Sequence, residues 1–111
     1  DIIQNAPVDI NTLGRGMIMS AATFILAAGT GTRSMTENSV LMIHQISTWV
    51  AGTSKDVLTE ADHLKFLQKH SYNLYEKFSN KKASFWENKC KVNCYLTPKE
   101  CLKLGLIDEI I

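Results

Sequence analysis

Apolar and polar residues change rhythm several times along the chain, and each change marks an element. Val8-Asp9-Ile10-Asn11-Thr12-Leu13 alternates, as a strand with one covered face does. Asp1–Asn5 ahead of it reads as a helix tail or a linker, closed by Pro7. Gly14-Arg15-Gly16 lets the chain turn sharply. From Ser20 to Ala28 the small and apolar residues predict a buried helix with Gly29 as its C-cap. Thr30-Gly31-Thr32 and Glu37-Asn38-Ser39 are turns on either side of a short extended piece, Arg33–Thr36. The unbroken apolar run Val40-Leu41-Met42-Ile43 predicts a buried strand.

The second half is more helical. Ile46–Gly52 reads as an extended arm that leaves Trp49 and Val50 partly exposed. Val57, Ala61, Leu64, Leu67 or Gln68, Ser71, Leu74 and Phe78 then recur at helical spacing, predicting one helix from Lys55 to Ser79. Thr53 or Ser54 can cap it, and Asp56 suits its first turn. At 1.5 Å per residue such a helix is about 37 Å long, too long for the core of a small domain. It is expected to project and to pack on a partner. Asn80-Lys81-Lys82 ends it, and Ser84–Cys90 forms a shorter helix. Tyr95-Leu96 is briefly extended. Thr97-Pro98-Lys99-Glu100 is a capping box that opens a helix over Pro98–Leu104, closed by Gly105. Leu106-Ile107-Asp108 reads as a last strand.

Composition narrows the class. The chain has 111 residues, 45% of them hydrophobic and 21% charged, which fits one globular domain. A net charge of +1 gives no reason to expect a nucleic-acid partner. The run Met17–Gly29 is too short to span a bilayer and contains Ser20 and Thr23. No signal peptide opens the chain, and without a starting Met it reads as a fragment or a processed chain. Cys90, Cys94 and Cys101 are odd in number and lack a C-x-x-C spacing. Cys90 and Cys94 could pair as ligands on a helix, but no histidine is near them, so packed thiols in a reducing compartment are the better account. No metal or cofactor is expected.

The chemistry lies in Ser20 and His44. Ser20 stands where an apolar approach turns into a small-residue helix, and His44 ends an apolar strand 24 positions later. A serine becomes a nucleophile when a base takes its proton, and a strand-to-helix turn exposes its hydroxyl. The same residues also suit plainer roles, a helix N-cap and a satisfied core histidine. His63 and His70, seven apart on the long helix, read as structural.

Three motifs together resemble the proteolytic subunit of the Clp protease, the ClpP family. Gly16 to Ser20, followed by Leu26-Ala27-Ala28-Gly29 and Gly31-Thr32-Arg33, is similar to the family's nucleophile segment. Glu37-Asn38-Ser39-Val40-Leu41-Met42-Ile43-His44-Gln45 stands where the family has its histidine segment. Asn93-Cys94-Tyr95-Leu96-Thr97, Glu100 and Gly105-Leu106-Ile107-Asp108 match its C-terminal signature. The resemblance implies an α/β fold of the ClpP/crotonase type, with repeated β-β-α units and a long protruding handle helix. It implies one peptidase domain over residues 1–111, without the family's N-terminal portion and its paired glycines.

For the site, the resemblance implies a Ser20–His44–Asn93 set, with the backbone of Ala21 in the oxyanion hole. It also implies a substrate-pairing strand at Gln45, Ile46 and Ser47. Asn93 stands where the family has aspartate, so weak endopeptidase activity is expected unless Glu87 or Asp62 substitutes. The implied partners are unfolded peptides, a homo- or hetero-oligomeric ring (a heptamer, stacked as a tetradecamer) and an AAA+ unfoldase, without nucleic acid or membrane. The implied setting is cytoplasm or an organelle matrix or stroma. Two alternatives stay open: a catalytically impaired structural or regulatory subunit of a Clp-type ring, and a phage-type head-maturation peptidase. A crotonase-type acyl-CoA enzyme is disfavoured, because no glutamate stands in an obvious crotonase position.

Overall fold

The computed structural model describes residues 1–111. Its first half runs β-β-α twice: β1 (Thr12–Gly14), β2 (Met17–Met19), α1 (Ala21–Ala27), then β3 (Arg33–Met35), β4 (Val40–Ile43), α2 (Ser54–Phe78). Then follow α3 (Ala83–Lys89), β5 (Cys94–Leu96), α4 (Pro98–Leu104) and β6 (Glu109–Ile110). Each β-β-α unit contributes one strand to each of two small sheets. One sheet is β1-β3-β6, all parallel; the other is β2-β4-β5, with β5 antiparallel to β4. This is the repeated α/β architecture that the resemblance implies.

Sixteen buried residues form the core between the sheets and helices, with Trp86, Met35, Leu41 and Cys101 wholly enclosed. Tyr75 stacks on Phe24 at 4.4 Å between ring centroids and tilts against Trp86 at 5.1 Å. The Trp86 indole N–H donates to Ser79 Oγ at 3.0 Å, so the ring is buried without an orphaned donor. The three cysteines are buried and unpaired. Burial pushes the Cys90 thiol up to about 11 and Cys101 up to about 12, as expected for inert packed thiols. No cluster of metal-ligating side chains forms. No helix is long and apolar enough to cross a membrane.

Helix α2 is 25 residues long, opened by a capping box in which Thr53 and Asp56 satisfy each other's backbone N–H. Only Tyr72 and Tyr75 are buried, both in its C-terminal third. The buried face is therefore turned from the expected stripe: Val57 is exposed, and Leu74 and Phe78 are half-buried. Trp49, in the arm before the helix, is 85% exposed and Phe66 is 64% exposed. Phe66 lies between the rings of His63 and His70, at 6.4 and 6.2 Å.

Four expectations shift. The strand expected over 8–13 is confined to Thr12–Gly14, because only there does β3 offer a ladder. Helix α1 is buried on one face only; Ile25 is 61% exposed. Its cap is Ala28 in the right-handed region, and Gly29 serves a different need. A Cβ on Gly29 would lie 2.7 Å from Thr12 Oγ1, so the residue allows close packing rather than a left-handed turn. The last strand falls at Glu109–Ile110; Leu106 and Ile107 go into the core instead. Gly105, by contrast, does close α4 in the left-handed region, at φ 75°.

Arg33 ties these parts together. Its Nε and Nη2 form a fork on Asp108, at 3.0 and 2.6 Å, while Asp108 Oδ2 also accepts from the Arg33 backbone N–H. Its Nη1 donates to the Phe78 carbonyl at 2.9 Å, at the end of α2. Hydrogen bonds from this guanidinium hold the Asp108 carboxyl below its ordinary range, against a smaller opposing effect of burial. A carboxyl depressed by folding stabilises the protein above its unfolded value, and that share is lost as pH falls through the folded value. Asp108→Asn is thus expected to lower the urea midpoint at pH 7, with the gap to the native chain narrowing below about pH 4. Arg33→Lys keeps the charge but loses the fork, and is expected to cost about 1–3 kcal/mol in urea unfolding.

Candidate active site

Two adjacent parallel strands end side by side. In the β2–β4 register Met19 faces Met42, and the Ser20 N–H donates to the Met42 carbonyl at 2.9 Å. Ser20 leaves the end of β2 and His44 the end of β4, so residues 24 apart in sequence meet. His44 Nε2 lies 2.9 Å from Ser20 Oγ.

Ser20 is the one non-glycine residue with positive φ, at φ 55° and ψ −123°. That region is hard for any residue with a Cβ, and costs on the order of 1–3 kcal/mol. The alternative role of a capping serine is not taken up, because its side chain makes no cap hydrogen bond. The Ser20 carbonyl accepts from the Thr23 backbone N–H at 3.0 Å and from Thr23 Oγ1 at 2.6 Å. Ala21 follows as the first residue of α1, so its N–H has no intrahelical acceptor.

The third position departs from expectation. His44 Nδ1 bonds the backbone carbonyl of Gln45, not a side chain. A carbonyl only accepts, so Nδ1 carries the proton and Nε2 is left to accept from the Ser20 hydroxyl. Extending the antiparallel β4–β5 register by one pair sets His44 opposite Asn93, but Asn93 makes no hydrogen bond to His44. The two suggested carboxylates do not reach His44 either. Asp62 is paired with Lys65 out on α2, and Glu87 lies beside Lys65, Gln68 and Tyr72.

Gln45, Ile46 and Ser47 line an open cavity of about 460 Å³ with Met42, His44 and Asn93. They form no strand of the protein's own. The Ile46 N–H already donates to Gln68 Oε1 at 2.7 Å, which leaves fewer backbone donors here for an incoming peptide. Chemically the arrangement supplies a hydroxyl, an imidazole whose Nε2 faces it, one free helix N–H and an open groove beside them. Thr23 and Tyr75, which support the serine turn from below, were not singled out by the sequence. The one hint was a polar Thr among small apolar residues.

A strained serine at a strand-to-helix turn is thus hydrogen-bonded to a histidine on the neighbouring strand of a β-β-α repeat. The Clp protease family model matches residues 1–111, and the chain belongs to that family. It is 30% identical over 112 residues to the ATP-dependent Clp protease proteolytic subunit 1 of Prochlorococcus marinus subsp. pastoris, covering 100% of this chain and 57% of that protein. To the subunit 1 of a second Prochlorococcus marinus strain it is 31% identical, with the same coverage. To the proteolytic subunit 2 of Thermobifida fusca it is 30% identical, over 100% of this chain and 55% of that protein. The chain thus spans somewhat more than half the length of these relatives.

Ser20→Gly removes the Cβ that strains the turn, and Ser20→Ala does not. The glycine variant is expected to be more stable than the alanine variant by about 1 kcal/mol. Urea unfolding of both measures this; equal midpoints would remove the strain argument.

Proposed function

We propose that the chain is a ClpP-like serine endopeptidase subunit that cleaves unfolded peptides by acyl transfer. The observation that carries this is the 2.9 Å contact of Ser20 Oγ with His44 Nε2 at the positive-φ turn. Ser20 Oγ attacks the peptide carbonyl carbon, and its proton passes to His44 Nε2. The Ala21 N–H faces the developing oxyanion. Nε2 then gives the proton to the departing amine, and water, deprotonated by the same imidazole, releases the acyl group. Gln45, Ile46 and Ser47 present the backbone along which an extended peptide lies.

The Gln45 carbonyl performs half of the task of the usual acid. It fixes the tautomer and orients the ring, but as a neutral group it offsets little of the imidazolium charge. Asn93, opposite His44, adds no charge. Slow turnover follows from this. The same observation favours a second reading, a structural or regulatory subunit of a Clp-type ring with little activity of its own. In either case α2 serves as the handle between stacked heptameric rings, since its N-terminal two-thirds has no fully buried side chain in its own chain. The ring takes substrate from an AAA+ unfoldase.

The test is labelling by a fluorophosphonate and hydrolysis of a short fluorogenic peptide, for the native chain, Ser20→Ala and Asn93→Asp. The expected result is slow labelling of the native chain, none in Ser20→Ala, and a gain of about tenfold or more in Asn93→Asp. Absence of reaction at Ser20 in both the native chain and Asn93→Asp would refute the peptidase reading.

A further inference from the structure

Thr23 is 1% exposed and its hydroxyl has two partners. It lies 2.6 Å from the Ser20 carbonyl and 2.6 Å from the Tyr75 hydroxyl, which comes from α2, 52 residues away. A carbonyl cannot donate, so the Thr23 hydroxyl donates to Ser20 and its oxygen accepts from Tyr75. The chain of donors therefore runs in one direction, from Tyr75 to Thr23 to the peptide of Ser20. Burial pushes the Tyr75 phenol up, which keeps its proton in place at any ordinary pH.

Nothing else ties the carbonyl side of the Ser20 peptide to the rest of the fold. Its N–H is held by β4 through Met42, and its carbonyl by Thr23 alone, through backbone and side chain. Fixing both sides of one residue holds it at φ 55°, and that dihedral aims Oγ at His44. Tyr75 is itself held firmly. Its ring stacks on Phe24 and leans on Trp86, and its carbonyl accepts from Ser79 Oγ.

We propose that Thr23 and Tyr75 are positioning residues for Ser20: the Tyr75–Thr23–Ser20 hydrogen-bond chain couples helix α2 to the serine turn and sets the reactivity of its hydroxyl. This rests on the reading of Ser20 as the nucleophile. Removing the chain lets the Ser20 peptide relax and Oγ move off His44, while the peptide groove at Gln45–Ser47 is untouched. The effect falls on the acylation rate rather than on substrate affinity.

The experiment uses the full chain with Thr23→Val, Thr23→Ser and Tyr75→Phe. Two quantities are read: the rate constant of fluorophosphonate labelling at Ser20, and the ¹⁵N shift of His44 Nε2, which senses the Ser20 hydroxyl whether or not it reacts. Thr23→Val is expected to slow labelling about tenfold, with KM for a fluorogenic peptide unchanged. Thr23→Ser should restore it to within about twofold, and Tyr75→Phe should fall between. Native-like labelling in both Thr23→Val and Tyr75→Phe overturns the proposal. Should Thr23→Val not fold, Tyr75→Phe alone decides, since its ring packing is kept. Should the native chain itself not react, the peptidase reading fails. The positioning role is then decided by the Nε2 shift: displaced in Tyr75→Phe and Thr23→Val but not in Thr23→Ser supports it, unmoved in all three refutes it.

Discussion

The guanidinium of Arg33 is the point on which the second half of the fold closes onto the first. Its donors are spent on three different parts of the chain: the Asp108 carboxylate, the last carbonyl of α2 and, at 3.4 Å, the Ala27 carbonyl at the end of α1. Two sheets of three short strands each have little hydrogen-bonding of their own, and β6 pairs with β3 over only two residues. An ion pair between mobile surface groups would add little to this. Here the arginine side chain is largely enclosed and its geometry is bidentate, so the contact fixes direction as well as distance. It sets the register in which β6 meets β3, and it holds the inner end of α2 where Tyr75 can reach the serine turn.

The site itself works within a different limit. A serine at positive φ is held by hydrogen bonds on both sides, from Met42 and Thr23, so the strain is balanced locally by polar contacts that a relaxed turn would lose. The histidine partner is oriented by a backbone carbonyl, and a carbonyl can align a ring without stabilising its charged form. Around Ser20 and His44 the ring is thus oriented on both nitrogens, by Ser20 Oγ and the Gln45 carbonyl, with no carboxylate beside it.

Much of this was legible in the sequence, and what was not has identifiable causes. The Ser20 and His44 segments, the long helix and the Thr97–Glu100 capping box could be read because each depends on neighbours within a few residues. The Thr53–Asp56 box is half legible: a cap and a first-turn acid follow from the residues, their reciprocal bonding does not. The errors came from contacts across the fold. Gly29 looks like a helix cap until Thr12 is seen packed against it. Leu106-Ile107 looks like a strand until both are found in the core, with the ladder beginning afterwards. Asn93 falls opposite His44 by register, yet the carbonyl of Gln45, which no side-chain motif can reveal, takes the hydrogen bond. Tyr75 escaped the helical stripe because the buried face of α2 is set by Phe24 and Trp86, not by the helix's own periodicity.

The partial burial of α2 makes it a lever with unequal arms. About 27 Å of helix lies beyond Tyr72 with no fully buried side chain, while the short inner arm is gripped by the core. A sideways swing of the outer end is scaled down by that ratio before it arrives at Tyr75. Rotation of the helix about its own axis is not scaled down. It moves the Tyr75 hydroxyl through the full radius of its side chain, away from Thr23. What the helix can communicate to the site is therefore roll rather than tilt.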